Sequence, residues 1–479
     1  MSTTTDLCQA TAGLVCLVAV AGCASVERTA AMADVDRAVS ARIDEHVQWQ
    51  QNSNEDRAAE AQVRTLLEDE LSVQEAVRIA LLNNRGLQAN YERLGISQAD
   101  LVQAGMLENP ELSLQYLFGD EGDLLEASII QPLMNVVTLA ARKKIGQAQA
   151  QQARLEIAQS VLEVALEVRA AYYAVVADAQ AIELMGEATR GTEAAADLAA
   201  RQYRAGNLSR REQALQQIAY AQAALETAQA QARLASDRER LNRLLGLWGE
   251  DTRWTVPNRL PEMPAVLPPL DQVERLAVMH RLDLAAAAAE VEAAYRAWGL
   301  TRDTRWLSAL GIGITFKREP NGEKLLGPEV SLGLPLFDQG QARVARRASE
   351  LRQSERRLEA MAVDVRSQAR EARLRLQAAH EVVMHYRNAL LPLQQTVVAE
   401  TLKFYNGMLI GVYELLAAQQ GQAHAAKQYV EASKAFWLTW VDLERAVGTS
   451  LPVPAPNAKP ASEPTAAMNQ HASHTHGEN

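Results

Sequence analysis

Cysteine is nearly absent from this chain of 479 residues. The three that occur, Cys8, Cys16 and Cys23, all lie at the N-terminal end, so no pair is available to staple the body of a fold. Phenylalanine is scarce as well, with five in total although 48% of residues are hydrophobic; with a surplus of alanine this points to thin, closely packed helices. Positive charge is in deficit: a formal charge of −11 and a pI near 5.4 exclude a nucleic-acid surface, which needs clustered Lys and Arg. After Cys23 no run approaches the roughly 18 apolar residues that a membrane helix requires, so if the chain crosses a bilayer it does so with strands. Catalytic patterns are missing too. His280, His380, His385 and His424 stand singly or five apart, without the i, i+4 pair around a glutamate that a zinc hydrolase uses. Gly311-Ile312-Gly313 sits in an alternating segment and does not open a helix, so it fails as a dinucleotide loop. Neither an enzyme nor a cofactor is expected.

The first residues read as a targeting segment, residues 1–22. Leu7 to Gly22 is mostly apolar and too short to span a bilayer, although Met1 to Asp6 carries no Lys or Arg. It closes on Val20-Ala21-Gly22-Cys23, which resembles a bacterial lipobox and implies that Cys23 becomes the acylated first residue; Ala24 after it implies the outer membrane. Residues 23–70 form a polar, Ala-rich arm without a strong period, extended or partly helical.

What the sequence does have is length of helix. Thr138 to Arg201 contains no proline, and Val161, Val164, Val168, Tyr172, Val175, Ala179 and Ile182 recur at the spacing of a coiled-coil seam. A second row, Leu155, Ala158, Leu162, Ala165, Tyr173 and Val176, gives the helix neighbours on two sides. At 1.5 Å per residue such an element is about 95 Å long. Ahead of it, a helix begins at Ser72 with Glu75 as a capping box and runs to about Gly105. Leu112, Leu114, Tyr116 and Phe118 then alternate with polar residues, and a second strand carries Leu125, Ala127 and Ile129 on one face. Beyond the long helix, Gly206 and Asn207 turn the chain and Ser209 caps a return helix whose apolar seam is Leu215, Ile218, Ala221, Leu225, Ala228, Ala232 and Ala235. The two helices form an antiparallel hairpin. Residues 255–269 are a Pro-rich connector.

The second half repeats the first. Ala80-Leu81-Leu82-Asn83-Asn84 corresponds to Ala277-Val278-Met279-His280-Arg281, and Leu310, Ile312, Ile314 and Phe316, then Val330, Leu332 and Leu334, alternate in a second hairpin. Tyr203 matches Tyr405, Glu212 matches Glu414, Gln217 matches Gln419, and Leu241 to Gly246 matches Leu443 to Gly448, all at one offset. The expected organisation is one repeat over residues 71–254, another over 270–448, and a disordered tail over 449–479. In that tail, Met468 and the imidazoles of His471, His474 and His476 form a candidate site for one soft or borderline cation such as Cu²⁺ or Zn²⁺, set against a tail whose histidines do nothing.

Taken with the second turn, Tyr405-Asn406-Gly407-Met408-Leu409-Ile410-Gly411-Val412-Tyr413-Glu414, this two-fold repeat resembles the TolC-like outer membrane factors. The lipobox makes the chain look like their lipoprotein branch, which includes metal-efflux channels of the CusC and CzcC type. The resemblance implies a mainly α fold with a small β portion, in which a homotrimer pools its strands into a twelve-stranded outer-membrane β-barrel continued by an α-helical periplasmic tunnel. It further implies a periplasmic membrane-fusion adaptor meeting the tips at Tyr203, Gly206, Leu208, Ser209, Tyr405, Met408, Ile410 and Gly411, and an inner-membrane pump behind it. Glu414 is then expected near the pore entrance, unless it only favours a helix N-terminus as Glu212 does. The expected function is a passive efflux conduit, with heavy-metal ions among the cargoes; type I protein secretion is the alternative channel role, and a periplasmic coiled-coil scaffold or adaptor the competing class.

Overall fold

The computed structural model describes residues 29–51, 54–120, 122–306 and 310–452. Cys23 and the tail histidines His471, His474 and His476 lie outside the described residues. The chain runs α1 (Thr29–Ile43), α2 (Asn54–Leu66), α3 (Val73–Asn83), α4 (Arg85–Ala104), β1 (Glu111–Leu117), β2 (Leu124–Pro132), α5 (Met134–Arg204) and α6 (Arg210–Leu245). The order then recurs as α7 (Val273–His280), α8 (Leu282–Asp303), β3 (Leu310–Arg318), β4 (Lys324–Leu332), α9 (Gln341–His385), α10 (Leu391–Asn406) and α11 (Val412–Val447).

α5 is the spine. Its 71 residues give a rod of about 106 Å. Both expected rows are covered: Val161, Val168 and Val175 on one, Ala158, Leu162, Ala165 and Val176 on the other are all buried. Neighbours are α4, α6, α8 and α11, and the main core gathers where α11 brings Phe436, Trp437 and Trp440 against Tyr173.

The helix expected from Ser72 to Gly105 is two helices. Its capping box is present, with Ser72 Oγ accepting from Glu75 N and Ser72 N donating to Glu75, but the backbone leaves helical geometry at Asn84 (φ −66°, ψ 112°). The break serves the end of α6. Asn83 Nδ2 donates to the carbonyls of Leu245 and Gly246 (3.0 and 2.9 Å), and Asn84 Nδ2 to that of Leu244 (2.8 Å), satisfying acceptors that a helix C-terminus leaves open. The second repeat breaks at the matching Arg281 (φ −64°, ψ 118°), against which Gly448 closes α11. Gly246 and Gly448 are both left-handed, at φ 70° and 79°.

Three other expectations are corrected. The arm is not aperiodic: Ala31, Val35, Val39 and Ile43, one per turn of α1, are buried in the main core, and Arg42 Nε bonds the carbonyl of His280. Secondly, the mate of α5 is not continuous, because residues Tyr386–Leu390 form a π-helical turn between α9 and α10. Pro392 follows, lacking an N–H and crowding the carbonyl four residues back, which i→i+5 bonding accommodates. Thirdly, the apolar seam of α6 does not face α5. Leu215, Ile218 and Leu225 are 47, 53 and 60% exposed, while the hairpin is closed by small residues, with Thr189 Oγ1 2.9 Å from Thr227 Oγ1. The Pro-rich connector is extended but packed, its Pro261 and Pro264 carbonyls meeting Trp437 Nε1 and His380 Nε2.

The glycine at the end of α6 gives a graded test. A Cβ at Gly246 would stand 2.5 Å from the Asn83 carbonyl oxygen, whereas one at Gly206 (φ 76°) would meet nothing within 4 Å. Gly206→Ala is expected to cost about 1 kcal/mol for the left-handed backbone alone, and Gly246→Ala a further 1–3 kcal/mol or so from overpacking. Thermal unfolding of both variants in detergent checks the order.

Candidate functional site

Two regions carry the features that packing within one chain does not explain: the sheet at one end of α5 and the turns at the other.

The sheet is four-stranded in the order β1-β2-β3-β4, antiparallel throughout. Its central pairing, β2 with β3, joins the two repeats. Register places Leu112, Ile129, Ile314 and Pro328 in one row and Leu114, Ala127, Phe316 and Leu326 in the next, so that one face is a continuous apolar surface. Within the chain that face is uncovered, with Leu114 68%, Leu326 70% and Val330 69% exposed. The other face is polar, carrying Ser113, Ser128 and Thr315 in one row and Gln115, Glu126 and Lys317 in another. It is sheltered over β2 and β3, where Ser128 is buried and Thr315 Oγ1 donates to Glu329, and exposed along β1. Gly313 is required here, because a Cβ would lie 2.4 Å from the Ile129 carbonyl oxygen. Each outer strand is paired on one side only.

At the opposite end, both turns are Schellman motifs. In the first, Asn207 N bonds Gln202 O (2.9 Å) and Gly206 N bonds Tyr203 O (3.0 Å). In the second, Leu409 N bonds Phe404 O (3.0 Å) and Met408 N bonds Tyr405 O (2.9 Å). Met408 therefore holds the left-handed position that glycine fills in the first turn, at φ 57°, with its side chain 93% exposed and Leu409 72% exposed beside it. Ser209 forms a capping box with Glu212, and those hydrogen bonds hold the Glu212 carboxyl below the usual glutamate range. The second turn has no such device. Gly411 is the N-cap without a side-chain bond, and Glu414 is exposed, its amide meeting only the Gly411 carbonyl (3.2 Å). Glu414 thus stands where Glu212 does without making the same cap.

The turns are brought together by a residue that sequence reasoning missed: Tyr413 donates its hydroxyl to Gln202 Oε1 at 2.7 Å, tying the second turn to α5. Burial, then the Glu212 charge, push the Tyr413 pKa up. Tyr203 and Tyr405 are partly exposed, Leu208 and Ile410 half-buried, and Ser209 and Gly411 exposed. Among the described residues no group of three or more His, Cys, Asp or Glu is placed to hold a metal ion, and no helix is long and apolar enough to cross a membrane.

Residues 76–247, the first repeat from α3 to just beyond α6, match the outer membrane efflux protein family. The resemblance to TolC-like outer membrane factors is borne out. The chain is 25% identical over 352 residues to the cobalt-zinc-cadmium resistance protein CzcC of Cupriavidus metallidurans, covering 71% of this chain and 79% of that one. Its fold is that of CusC, at a TM-score of 0.65 and 14% identity over 79% of this chain and 92% of that one. The CmeC outer membrane channel of Campylobacter jejuni is equally similar, at 0.67 and 13% over 79% and 85%. These relatives are channel and resistance proteins, in keeping with a non-enzyme.

The left-handed methionine is testable apart from any partner. Met408→Gly is expected to stabilise the turn by about 1 kcal/mol, the cost that a side chain carries in that conformation. Hydrogen exchange at the turn amides should slow accordingly, and Gly206→Met should speed exchange in the first turn.

Proposed function

We propose that the chain is the outer-membrane channel of a tripartite efflux system, a passive conduit of a Gram-negative cell that takes substrate from an inner-membrane pump through a periplasmic adaptor. The observation that carries this is the sheet. One face is apolar and the other carries polar rows sheltered over β2 and β3, and among the described residues both edges are unpaired, which suits lipid outside and water inside once several copies close the ring. Four strands are too few, since single-chain barrels begin at about 8; a homotrimer supplies twelve. The exposed seam of α6 supports the same reading, because copies side by side would cover Leu215, Ile218 and Leu225 and extend the barrel as a helical tunnel. A periplasmic scaffold or adaptor has no use for such a sheet.

Lipidation at Cys23 fits the reach of the chain. Asp34 pairs with Arg154 (3.2 Å), about 30 Å along α5 from Met134. α1 places Thr29 roughly 8 Å nearer the sheet, and the six residues back to Cys23 can span at most about 20 Å. The acyl chains would then meet the membrane at the level of the strand ends. Native mass measurement in detergent tests both assignments: three copies are expected, each starting at an acylated Cys23. Leu225→Asp, which sets a charge on the seam, should shift the same measurement toward single chains; a wild-type protein that stays monomeric in lipid would end the channel reading.

Metal ions are the proposed cargo class. Support comes from the relative named for cobalt, zinc and cadmium resistance and from His471, His474 and His476, whose imidazoles suit such ions. In a deletion strain, the gene should restore tolerance of divalent metals more than of organic drugs or solvents. Removing Ala461 to Asn479 should lower metal tolerance at matched protein level if the tail samples metal, and equal tolerance would strip it of that role.

At the tips, an adaptor would meet Tyr203, Gly206, Leu208, Ser209, Tyr405, Met408, Ile410 and Gly411. Glu414, exposed and uncommitted to a cap, is proposed to face the pore entrance and form an acidic ring there. Glu414→Gln in planar bilayers should reduce cation preference, most clearly at low salt; unchanged selectivity would leave Glu414 as a helix-end acid.

A further inference from the structure

Asp178 on α5 is buried, 7% exposed, in the middle of the tunnel wall and far from both the sheet and the turns. Its Oδ1 receives Lys434 Nζ of α11 at 2.7 Å. Its Oδ2 is buried and receives no donor. Asp237, on α6, lies within hydrogen-bond reach of this carboxylate. Three helices therefore meet at two carboxyl groups and one ammonium. If both acids are ionised, two carboxylates face each other beside the one ammonium, and Asp178 Oδ2 remains without a donor. One proton on Asp237 relieves both, since its hydroxyl can donate to Asp178.

The surroundings make this contact weigh more than a surface ion pair. On the side toward the turns, the apolar contact of α5 with α11 thins to a small cluster, Ala177, Ala181 and Val430, whereas on the other side the main core begins at Tyr173 and Trp437. From Lys434 α11 runs 22 residues, about 33 Å, to its start at Val412 beside the second turn. The partner strand of that hairpin, α10, has no buried residue and joins α9 through the π-helical turn at Tyr386–Leu390. This arm is otherwise tied to the α5–α6 hairpin by Lys427 with Glu226 (3.2 Å) and by Tyr413 with Gln202, and it opens locally where such contacts slacken.

We infer that Asp178, Asp237 and Lys434 form a proton-dependent latch, which clamps α11 to the α5–α6 hairpin while Asp237 holds its proton and slackens when that proton leaves. The charged groups around Asp237 are Asp178 from α5, Lys434 from α11 and, on its own helix, Arg240. Burial first, then the bond to Asp178 and the charge of Asp178, raise its pKa above the usual aspartate value, against the pull of Lys434 and Arg240. An acid with a raised pKa adds stability that is complete below the ordinary aspartate range and is lost as pH rises through the raised value. The latch thus tightens in acid and loosens toward neutrality. It adds a regulatory element to the proposed channel, and its structural part stands without transport.

The test is hydrogen exchange of the full-length protein in detergent from acidic to neutral pH, corrected for the intrinsic rate, read in α11 around Lys434. Protection in the wild type should fall severalfold as pH rises. Asp237→Asn, whose amide stands in for the protonated acid, should keep the acid-level protection at every pH, and Asp178→Asn should weaken the clamp at all of them. Flat protection in the wild type, or an unchanged pH profile in Asp237→Asn, overturns the latch. Bilayer conductance of the same proteins reads the consequence for transport: a wild type that opens more at neutral than at acidic pH, with the difference gone in Asp237→Asn, supports control of the channel. A protein that never conducts counts against the channel and leaves the exchange result to decide the latch.

Discussion

Peptide groups need partners, and among the described residues the outer edges of β1 and β4 find none. Most of the architecture answers that constraint. A strand pair from each repeat meets at β2 and β3 in one sheet; Leu117, Leu124, Ile130 and Leu325 lie on one side, but most of the large apolar side chains lie on the other. In water that surface is a liability of the kind that drives edge-to-edge association. In lipid, with the edges of neighbouring copies joined, it is the ordinary exterior of a barrel.

The helices obey a related rule with side chains in place of backbone. α5 is surrounded, and its rows of Val, Ala and Leu are consumed within the chain. Through most of its length α6 turns small residues to α5 and leaves Leu215, Ile218 and Leu225 outward, while Leu241 and Leu245 near its end join the main core. Alanine and threonine at that contact let the two helices lie close, which keeps the wall thin and reserves leucine and isoleucine for another surface. The same chain is thus finished in its middle, where Trp437, Trp440 and Phe436 fill the core, and unfinished at the wall.

Sequence alone carried much of this. Alternation from Leu112 to Phe118 and from Leu310 to Phe316 located the strands, the capping boxes at Ser72 and Ser209 located two helix starts, and the constant offset between Tyr203 and Tyr405 revealed the repeat. What it missed depends on partners distant in the chain. Asn83 and Asn84 look like ordinary helix residues until Leu244, Leu245 and Gly246 supply carbonyls to their side-chain amides, with the helix ending at Asn83 and Asn84 extended. The seam of α6 was visible as a period, but periodicity does not say which neighbour receives it. α1 shows one apolar residue per turn, too narrow a stripe to stand out in an Ala-rich arm. Asp178 and Lys434 are 256 residues apart, a pairing that no local pattern discloses.

The two turns share one hydrogen-bonding plan and differ in the residue at its left-handed position, glycine in one and methionine in the other. Any closed ring of this chain therefore ends in knobs of equal shape that alternate between bare backbone and a projecting thioether. A partner that reads only the backbone finds twice as many seats as there are chains. One that grips the methionine finds a single seat per chain, so for such a partner one side chain would halve the number of seats that the repeat of the fold offers.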